Sequence, residues 1–194
     1  IIFPDEDRFT LDSTQVNISD EEVSGAVRHR RDLSNGLELE FGVQWNQKDR
    51  ESLIQETPRI RFNVPNAPTP RPAVPAFGPF APVPGGDAAI EETRIDPYVM
   101  ISGEAGAMKW EAGLRYETTD TTTTNFTVAP ADQVNDNDYS FLLPSVSLRY
   151  ALSSDDRLTI SAARTVRRPN FDHLSPATLE EEFGDSDFFG NPNL

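Results

Sequence analysis

Few residues of this sequence have the types and spacing that catalysis or metal binding requires. Its two histidines, His29 and His173, lie far apart and lack the spacing of metal ligands. No nucleophile, base and orienting acid are arranged so as to predict a catalytic triad. The acidic runs at 135–138 and 184–187 carry oxygen ligands of the kind that Ca²⁺ prefers, but neither matches an EF-hand loop and solvated charge is the favoured interpretation. We therefore expect no enzyme, no metal site and no cofactor.

The charged residues are instead interleaved with apolar ones. In MKWEAGLRYETTD, residues 108–120, one parity is apolar and the other polar, which predicts a β-strand with two unlike faces. LELEFGVQW, residues 37–45, alternates in the same way. In a soluble sandwich the apolar face would form the core. In an outer-membrane barrel it would face lipid, and the charges would face the lumen.

Six segments have the pattern of strands and pair into three hairpins: 22–31 with 37–50, 95–102 with 108–118, and 139–150 with 157–168. The first hairpin is closed by Asn35-Gly36, a strong signal for a tight turn. Long loops are predicted between and after the hairpins, at 51–93, 119–138 and 169–194. Nine of the 16 prolines lie between Pro58 and Pro84, which argues against sheet interior there.

Alternation of short and long connections is typical of a membrane barrel with short periplasmic turns and long outer loops, whereas a Greek-key sandwich mixes its loop lengths. Aromatic residues support the same interpretation. Trp45 and Tyr116 lie at the long-loop ends of their strands, and Trp110 and Tyr150 lie near the short-turn ends, as lipid headgroup interfaces select. We predict an all-β fold of antiparallel up-and-down strands, a partial piece of about six strands from a transmembrane β-barrel.

In this interpretation, residues of the apolar parity face lipid and residues of the polar parity face the lumen. Lipid-facing or girdle residues are then Trp45, Trp110, Leu114, Tyr116 and Tyr150. Candidates for the lumen wall are Glu38, Glu40, Gln44, Lys109, Glu111, Arg115, Glu117 and Arg149. The stretch VRRPNF is expected at the outer rim, with Arg167, Arg168 and Asn170 as candidates. Its arginines could meet an anionic ligand or lipopolysaccharide, although salt bridges to loop carboxylates are the commoner outcome.

Composition limits the partners. The formal net charge of −15 argues against nucleic acid or anionic lipid as a general partner. The sequence has no cysteine, so a disulfide framework is excluded. No stretch of about 18 apolar residues predicts a transmembrane helix. Since the chain starts without an initiator Met or signal sequence, we expect an internal piece of a longer protein.

Three segments resemble TonB-dependent outer-membrane receptors. KWEAGLRYETTD resembles their GxRYExT strand, LPSVSLRYALSSDDRLTISAARTVRRPNF resembles their LPSxxLxYxLxxDxxLRxxxSxTxxRPxF hairpin, and GNPNL resembles their GNPxLxP segment. The resemblance covers roughly residues 22–51 and 91–194, and it is most specific over 139–194. It implies a piece of a plugged barrel of about 22 strands in the outer membrane of a Gram-negative bacterium.

The resemblance also implies a function: active uptake of a scarce nutrient such as a ferric siderophore, haem, cobalamin or an oligosaccharide. Energy would come from TonB–ExbB–ExbD through a TonB box. The partners would be outer-membrane lipid, the remaining barrel strands and a plug domain, with plug and TonB box outside this chain. Two alternatives stay open, a soluble secreted β-rich binding or adhesion module and a passive porin-like channel. The sequence does not specify the ligand.

Overall fold

The computed structural model of the chain describes residues 6–65, 73–179 and 188–191. Its strands are β1 (Glu6–Leu11), β2 (Thr14–Asp32), β3 (Leu37–Glu56), β4 (Ile60–Pro65), β5 (Ala81–Ala105), β6 (Met108–Asn125), β7 (Val134–Ala151), β8 (Arg157–Ala163), β9 (Thr178–Leu179) and β10 (Phe188–Phe189). The helical pieces are α1 (Phe171–Leu174) and two 3₁₀ turns, Ser34–Gly36 and Pro130–Asp132. Within the described residues, no helix has the length and apolarity needed to cross a membrane.

One antiparallel sheet contains the six long strands in the order β2-β3-β5-β6-β7-β8. Each long strand pairs with the next along the chain, apart from the inserted β4, so the predicted all-β, up-and-down arrangement is confirmed. The first hairpin turns where it was predicted to turn. Asn35 and Gly36 have φ values of 66° and 71°, the left-handed conformations that a tight turn between twisted strands demands.

A short second ribbon continues the first hairpin. β1 pairs with β4 in antiparallel register from Leu11 opposite Ile60 outward. The backbone N–H of Thr57 donates to the carbonyl of Ser13 at 3.0 Å and links the two ribbons. The strand pair β9 and β10 forms a third, two-stranded sheet.

The first predicted loop, 51–93, is wrong at both ends. β3 continues to Glu56, and β5 begins at Ala81 and carries Pro82 and Pro84 inside it. These prolines fit because the β3–β5 register shifts between Leu53 and Gln55, opposite this part of β5. At such an irregularity the ladder is interrupted, and a residue without an N–H is tolerated.

The other two loops also differ from the prediction. In the predicted loop 119–138, β6 continues to Asn125 and β7 begins at Val134, with Thr119 opposite Tyr139. A run of β-branched threonines favours extended structure, and its polarity is misleading. The sixth predicted strand, 157–168, ends at Ala163, after which the chain leaves the sheet. The predicted loop 169–194 contains α1 and β9 paired with β10.

The side chains on the two faces of the sheet differ in solvent exposure. On β6, Leu114 and Tyr116 are 41% and 47% exposed, whereas Glu117 and Thr119 are 2% and 0% exposed. On β3, Trp45 is 37% exposed and its neighbour Asn46 only 7%. We call the sheltered side, which carries the charged parity, the polar face, and the other side the apolar face. The polarity of the sheet is thus inside out relative to a soluble protein, as in a membrane barrel.

Candidate functional site

Gly42, Tyr98 and Arg115 form a row across three neighbouring strands on the polar face. The register places Gly42 opposite Tyr98, and Tyr98 opposite Arg115. The Tyr98 hydroxyl donates to Glu40 Oε1 at 2.9 Å, and the Arg115 guanidinium lies 5.5 Å from the Tyr98 ring centroid. A Cβ on Gly42 would lie 2.9 Å from Tyr98 Cε1 and 2.5 Å from the Val27 carbonyl oxygen. The missing side chain at Gly42 therefore lets Tyr98 lie across the polar face, which we also call the wall.

Asp96, two residues before Tyr98 on the same face of β5, lies between two arginines. Its carboxylate is 3.2 Å from Arg94 Nε and 3.6 Å from Arg115 Nη1. Arg115 also donates to Gln44 Oε1 at 2.7 Å. Asp96 is 1% exposed, and a carboxylate so deeply buried requires opposite charge nearby.

The wall continues in both directions along the strands. Arg30 donates to Glu40 Oε2 from Nε at 3.1 Å and from Nη2 at 2.8 Å, and its Nε lies 3.3 Å from Glu38. Near the short-turn end, Lys109 pairs with Glu104. The eight residues predicted for the lumen wall, Glu38, Glu40, Gln44, Lys109, Glu111, Arg115, Glu117 and Arg149, occupy the polar-face parity of β3, β6 and β7. Glu111 and Arg149 are exposed at the short-turn end.

Residues 164–177, which we call the strap, cross the polar face after β8 ends. The strap begins where Arg164 N–H donates to the Pro144 carbonyl at 3.0 Å. Arg168 then donates to Glu117 through Nε at 2.7 Å to Oε1, with a second contact between Nη2 and Oε2. Burial of Arg168 opposes its charge, but the hydrogen bond and charge of Glu117 outweigh this and raise the pKa of the guanidinium. This ion pair ties the strap to β6.

Arg50 holds the strap to the first hairpin. It donates from Nη1 to Asp172 Oδ1 at 2.6 Å, and from Nε and Nη2 to Asp20 on β2 at 2.6 Å and 2.8 Å. The guanidinium also lies 5.5 Å from the centroid of the Phe171 ring. One side chain of β3 thus joins β2 to the strap through charge-assisted bonds, which are the stronger kind.

The far end of the strap packs against β5. Ala177 forms a buried cluster with Ile54 and Val83. Gly85 has a φ of 71°, and a Cβ there would lie 2.0 Å from the Pro176 carbonyl oxygen. Only a glycine permits this close approach of two backbones. The strap is therefore held at β6, β3 and β5 in turn.

The three residues predicted for the outer rim have different surroundings. Arg167 is exposed, and Asn170 caps α1 by accepting from His173 N–H at 3.0 Å. The Arg168 side chain turns onto the polar face and pairs with Glu117, a carboxylate of β6 and not of a loop, and the position of all three residues at the outer rim stays a prediction. Since β8 ends at Ala163, Arg168 lies outside the sheet.

The predicted lipid-facing residues share the apolar face. Trp45, Leu114, Tyr116 and Tyr150 are all exposed there. Trp110 is half-buried, because its indole lies beside Gly103, where an added Cβ would be 3.0 Å from the ring. Contact of these residues with lipid stays a prediction.

Several members of the wall were not identified from the sequence: Asp20, Glu22, Arg30, Arg50, Glu92, Arg94, Asp96 and Tyr98. A signal for the last four existed, since Glu92, Arg94, Asp96 and Tyr98 occupy alternate positions. It was obscured by the apolar run 98–101 and by the loop assigned to 51–93. For Asp20 the parity was equally present but lay before the predicted start of the first strand, whereas Glu22 and Arg30 lie within that strand on the same parity.

Comparisons with known proteins relate the chain to outer-membrane barrels. A crystal structure of the ferric citrate transporter FecA in the unliganded form matches at 16% identity with a TM-score of 0.46, covering 78% of this chain and 20% of that one. The chain thus spans about a fifth of the length of that structure. No curated protein sequence matches this chain. The model of the outer membrane protein β-barrel family matches residues 88–194, more than half of the sequence, and the chain therefore belongs to the outer membrane protein β-barrel family.

Proposed function

We propose that this chain is part of the barrel wall of a TonB-dependent receptor, which takes up a scarce nutrient across the outer membrane of a Gram-negative cell. The observation that carries the proposal is the polar face, where Asp96 pairs with Arg115, and Glu117 pairs with Arg168. Charges on the inner wall of a barrel are in reach of a solute or of a domain within the lumen.

The outer-membrane location follows from the family, and it excludes the soluble secreted module. The sequence motifs support the finer assignment. The receptor-like segment KWEAGLRYETTD lies in β6, and the receptor-like hairpin LPSVSLRYALSSDDRLTISAARTVRRPNF comprises the end of β7, β8 and the first half of the strap. Both motifs therefore occupy adjoining strands of one wall.

The strap also argues for a receptor over a passive channel. It lies on the polar face and is fixed by Arg50 and Arg168 to strands on both sides of β5. A segment so fixed narrows the space next to the wall. In the proposed mechanism, the outer loops capture the ligand, and a plug domain encoded outside this chain rearranges when TonB pulls on it.

The proposal is tested with the full-length gene in cells that have or lack TonB. We expect the protein in the outer-membrane fraction, and we expect uptake of one of four labelled probes, a ferric siderophore, haem, cobalamin or an oligosaccharide, to depend on both the receptor and TonB. Uptake that persists without TonB would replace this proposal with the porin-like channel. Failure of all four probes to enter in a receptor-dependent way would overturn the nutrient-receptor assignment.

A further inference from the structure

A cleft lies between the strap and the polar face, on the side of Trp45 away from the short turns. Its volume is about 380 Å³, which lies within the range of small-molecule sites. β2, β3 and β5 supply its wall, and residues 168–171 of the strap cover it. Its lining includes Glu22, Lys48, Arg50, Glu92, Arg168 and Phe171.

Glu92 differs from the other buried acids of the polar face. It is 5% exposed, yet no described residue donates a hydrogen bond to its carboxylate or forms an ion pair with it within 4.0 Å. Asp96, in contrast, has Arg94 and Arg115, and Glu117 has Arg168. A buried carboxylate without a partner is costly, so a cation that enters the cleft would offset that cost.

Lys48 is the cation best placed to neutralise Glu92 from within. The register puts the two residues directly opposite each other on β3 and β5. The Lys48 ammonium instead lies 3.6 Å from Glu22 on the opposite side. The carboxylate of Glu92 therefore remains open toward the cleft.

The guanidinium groups around the cleft already have carboxylate partners. Arg50 is shared between Asp20 and Asp172, and Arg168 is held by Glu117. An incoming anion would have to displace one of these carboxylates, whereas an incoming cation meets an unpaired one. The formal net charge of −15 also favours the approach of a cation.

We propose that this cleft binds a small ligand bearing a protonated amine, with the Glu92 carboxylate as its acceptor. An ammonium group donates up to three hydrogen bonds and matches a carboxylate that accepts none. The inference rests on the proposed receptor function and narrows its ligand class. Binding can be measured on the purified protein without TonB, so a failure of this inference is distinguishable from a failure of the uptake proposal.

The test is calorimetric titration of the full-length protein in detergent with 1,5-diaminopentane at neutral pH. We expect saturable binding that Glu92→Gln weakens by about tenfold or more, since a charge-assisted bond is lost. Glu91→Gln is the matched control, because Glu91 is exposed on the apolar face one residue away, and it should bind like the wild type.

Two further measurements keep the test decisive. Glu92→Asp retains the charge and should bind better than Glu92→Gln, while heat-modifiable migration in gels checks that each variant is folded. Glutarate, the dianion of the same chain length, should not bind. The proposal is overturned if the diamine does not bind, if Glu92→Gln binds as tightly as the wild type, or if glutarate or Ca²⁺ alone occupies the site in place of the diamine.

Discussion

The guanidinium of Arg168 and the carboxylate of Glu117 meet in a two-point ion pair although 51 residues separate them in the chain, with Nε and Oε1 2.7 Å apart. The Glu117 side chain is 3% exposed and that of Arg168 is 28% exposed. The pair thus fastens the strap to the wall through a carboxylate that has almost no access to water.

Removal of Arg168 should be costly because it strands the Glu117 charge. We expect Arg168→Ala to lower the free energy of unfolding of the full-length protein in lipid vesicles by about 3 kcal/mol. Adding Glu117→Gln should recover part of this loss, giving a coupling of about 1–3 kcal/mol in a double-mutant cycle. Arg167→Ala, the exposed neighbour, should change stability by less than about 0.5 kcal/mol. Strict additivity of the two changes would mean that the pair does not form.

Glycine at 42 should be required where glycine at 25 is not. A Cβ on Gly42 would meet Val27 O at 2.5 Å and Tyr98 Cε1 at 2.9 Å, whereas the nearest atom to a Cβ on Gly25 is 4.0 Å away. We expect Gly42→Ala to destabilise the protein by about 1–3 kcal/mol through overpacking. Gly25→Ala should be neutral or stabilising by up to about 1 kcal/mol, because alanine restricts the unfolded chain. Denaturant unfolding of both variants decides, and equal effects would contradict the close packing of Tyr98 over Gly42.

Arg50 should control the local stability of α1. Its contact with Asp172 is charge-assisted at 2.6 Å, but the Asp172 side chain is 64% exposed, so losing this bond costs roughly 1 kcal/mol. Hydrogen exchange in a peptide that spans 171–177 should therefore accelerate about fivefold in Arg50→Ala.

The matched control for Arg50 is Lys48→Ala. Lys48 lies on the same face of β3 but pairs with Glu22 and not with the strap. Its removal should leave exchange in 171–177 unchanged. If both variants speed exchange equally, the strap depends on the general charge of the wall and not on the Arg50–Asp172 contact.

How far the sequence predicts this structure varies along each strand. In the part of the sheet between Trp45 and Tyr116 at one end and Trp110 and Tyr150 at the other, one face is apolar. Alternation of residue type therefore shows which face each residue occupies. Beyond Trp45 and Tyr116 both faces are polar, so the alternation fades and β5 and β6 were predicted too short. Threonines 121–124 are the clearest case. They continue β6, but neither set of alternate positions in this stretch is apolar.

The strap was not predictable in the same way. Parity tells which face a strand residue occupies but not which distant segment lies on that face. The Arg50–Asp172 contact joins residues 122 positions apart. Apolar and polar residues follow no regular pattern along the strap. The proline at 169 signalled an end to the strand, but the direction of the chain after Ala163 is set by Glu117 and Arg50, which the sequence places in no local pattern with the strap.

The orientation of β6 toward lipid can be tested at two adjacent positions. Leu114 is 41% exposed on the apolar face, whereas Arg115 lies on the polar face and donates to Gln44 at 2.7 Å. In the full-length protein, Leu114→Arg should lower folding stability in lipid vesicles by about 2–4 kcal/mol, the cost of a cation near the bilayer midplane. Arg115→Leu should hardly affect insertion, since Asp96 keeps Arg94 at 3.2 Å, but it should alter the lumen wall. Reversible folding into vesicles measures both, and the opposite ranking would mean that the faces of β6 are assigned the wrong way round.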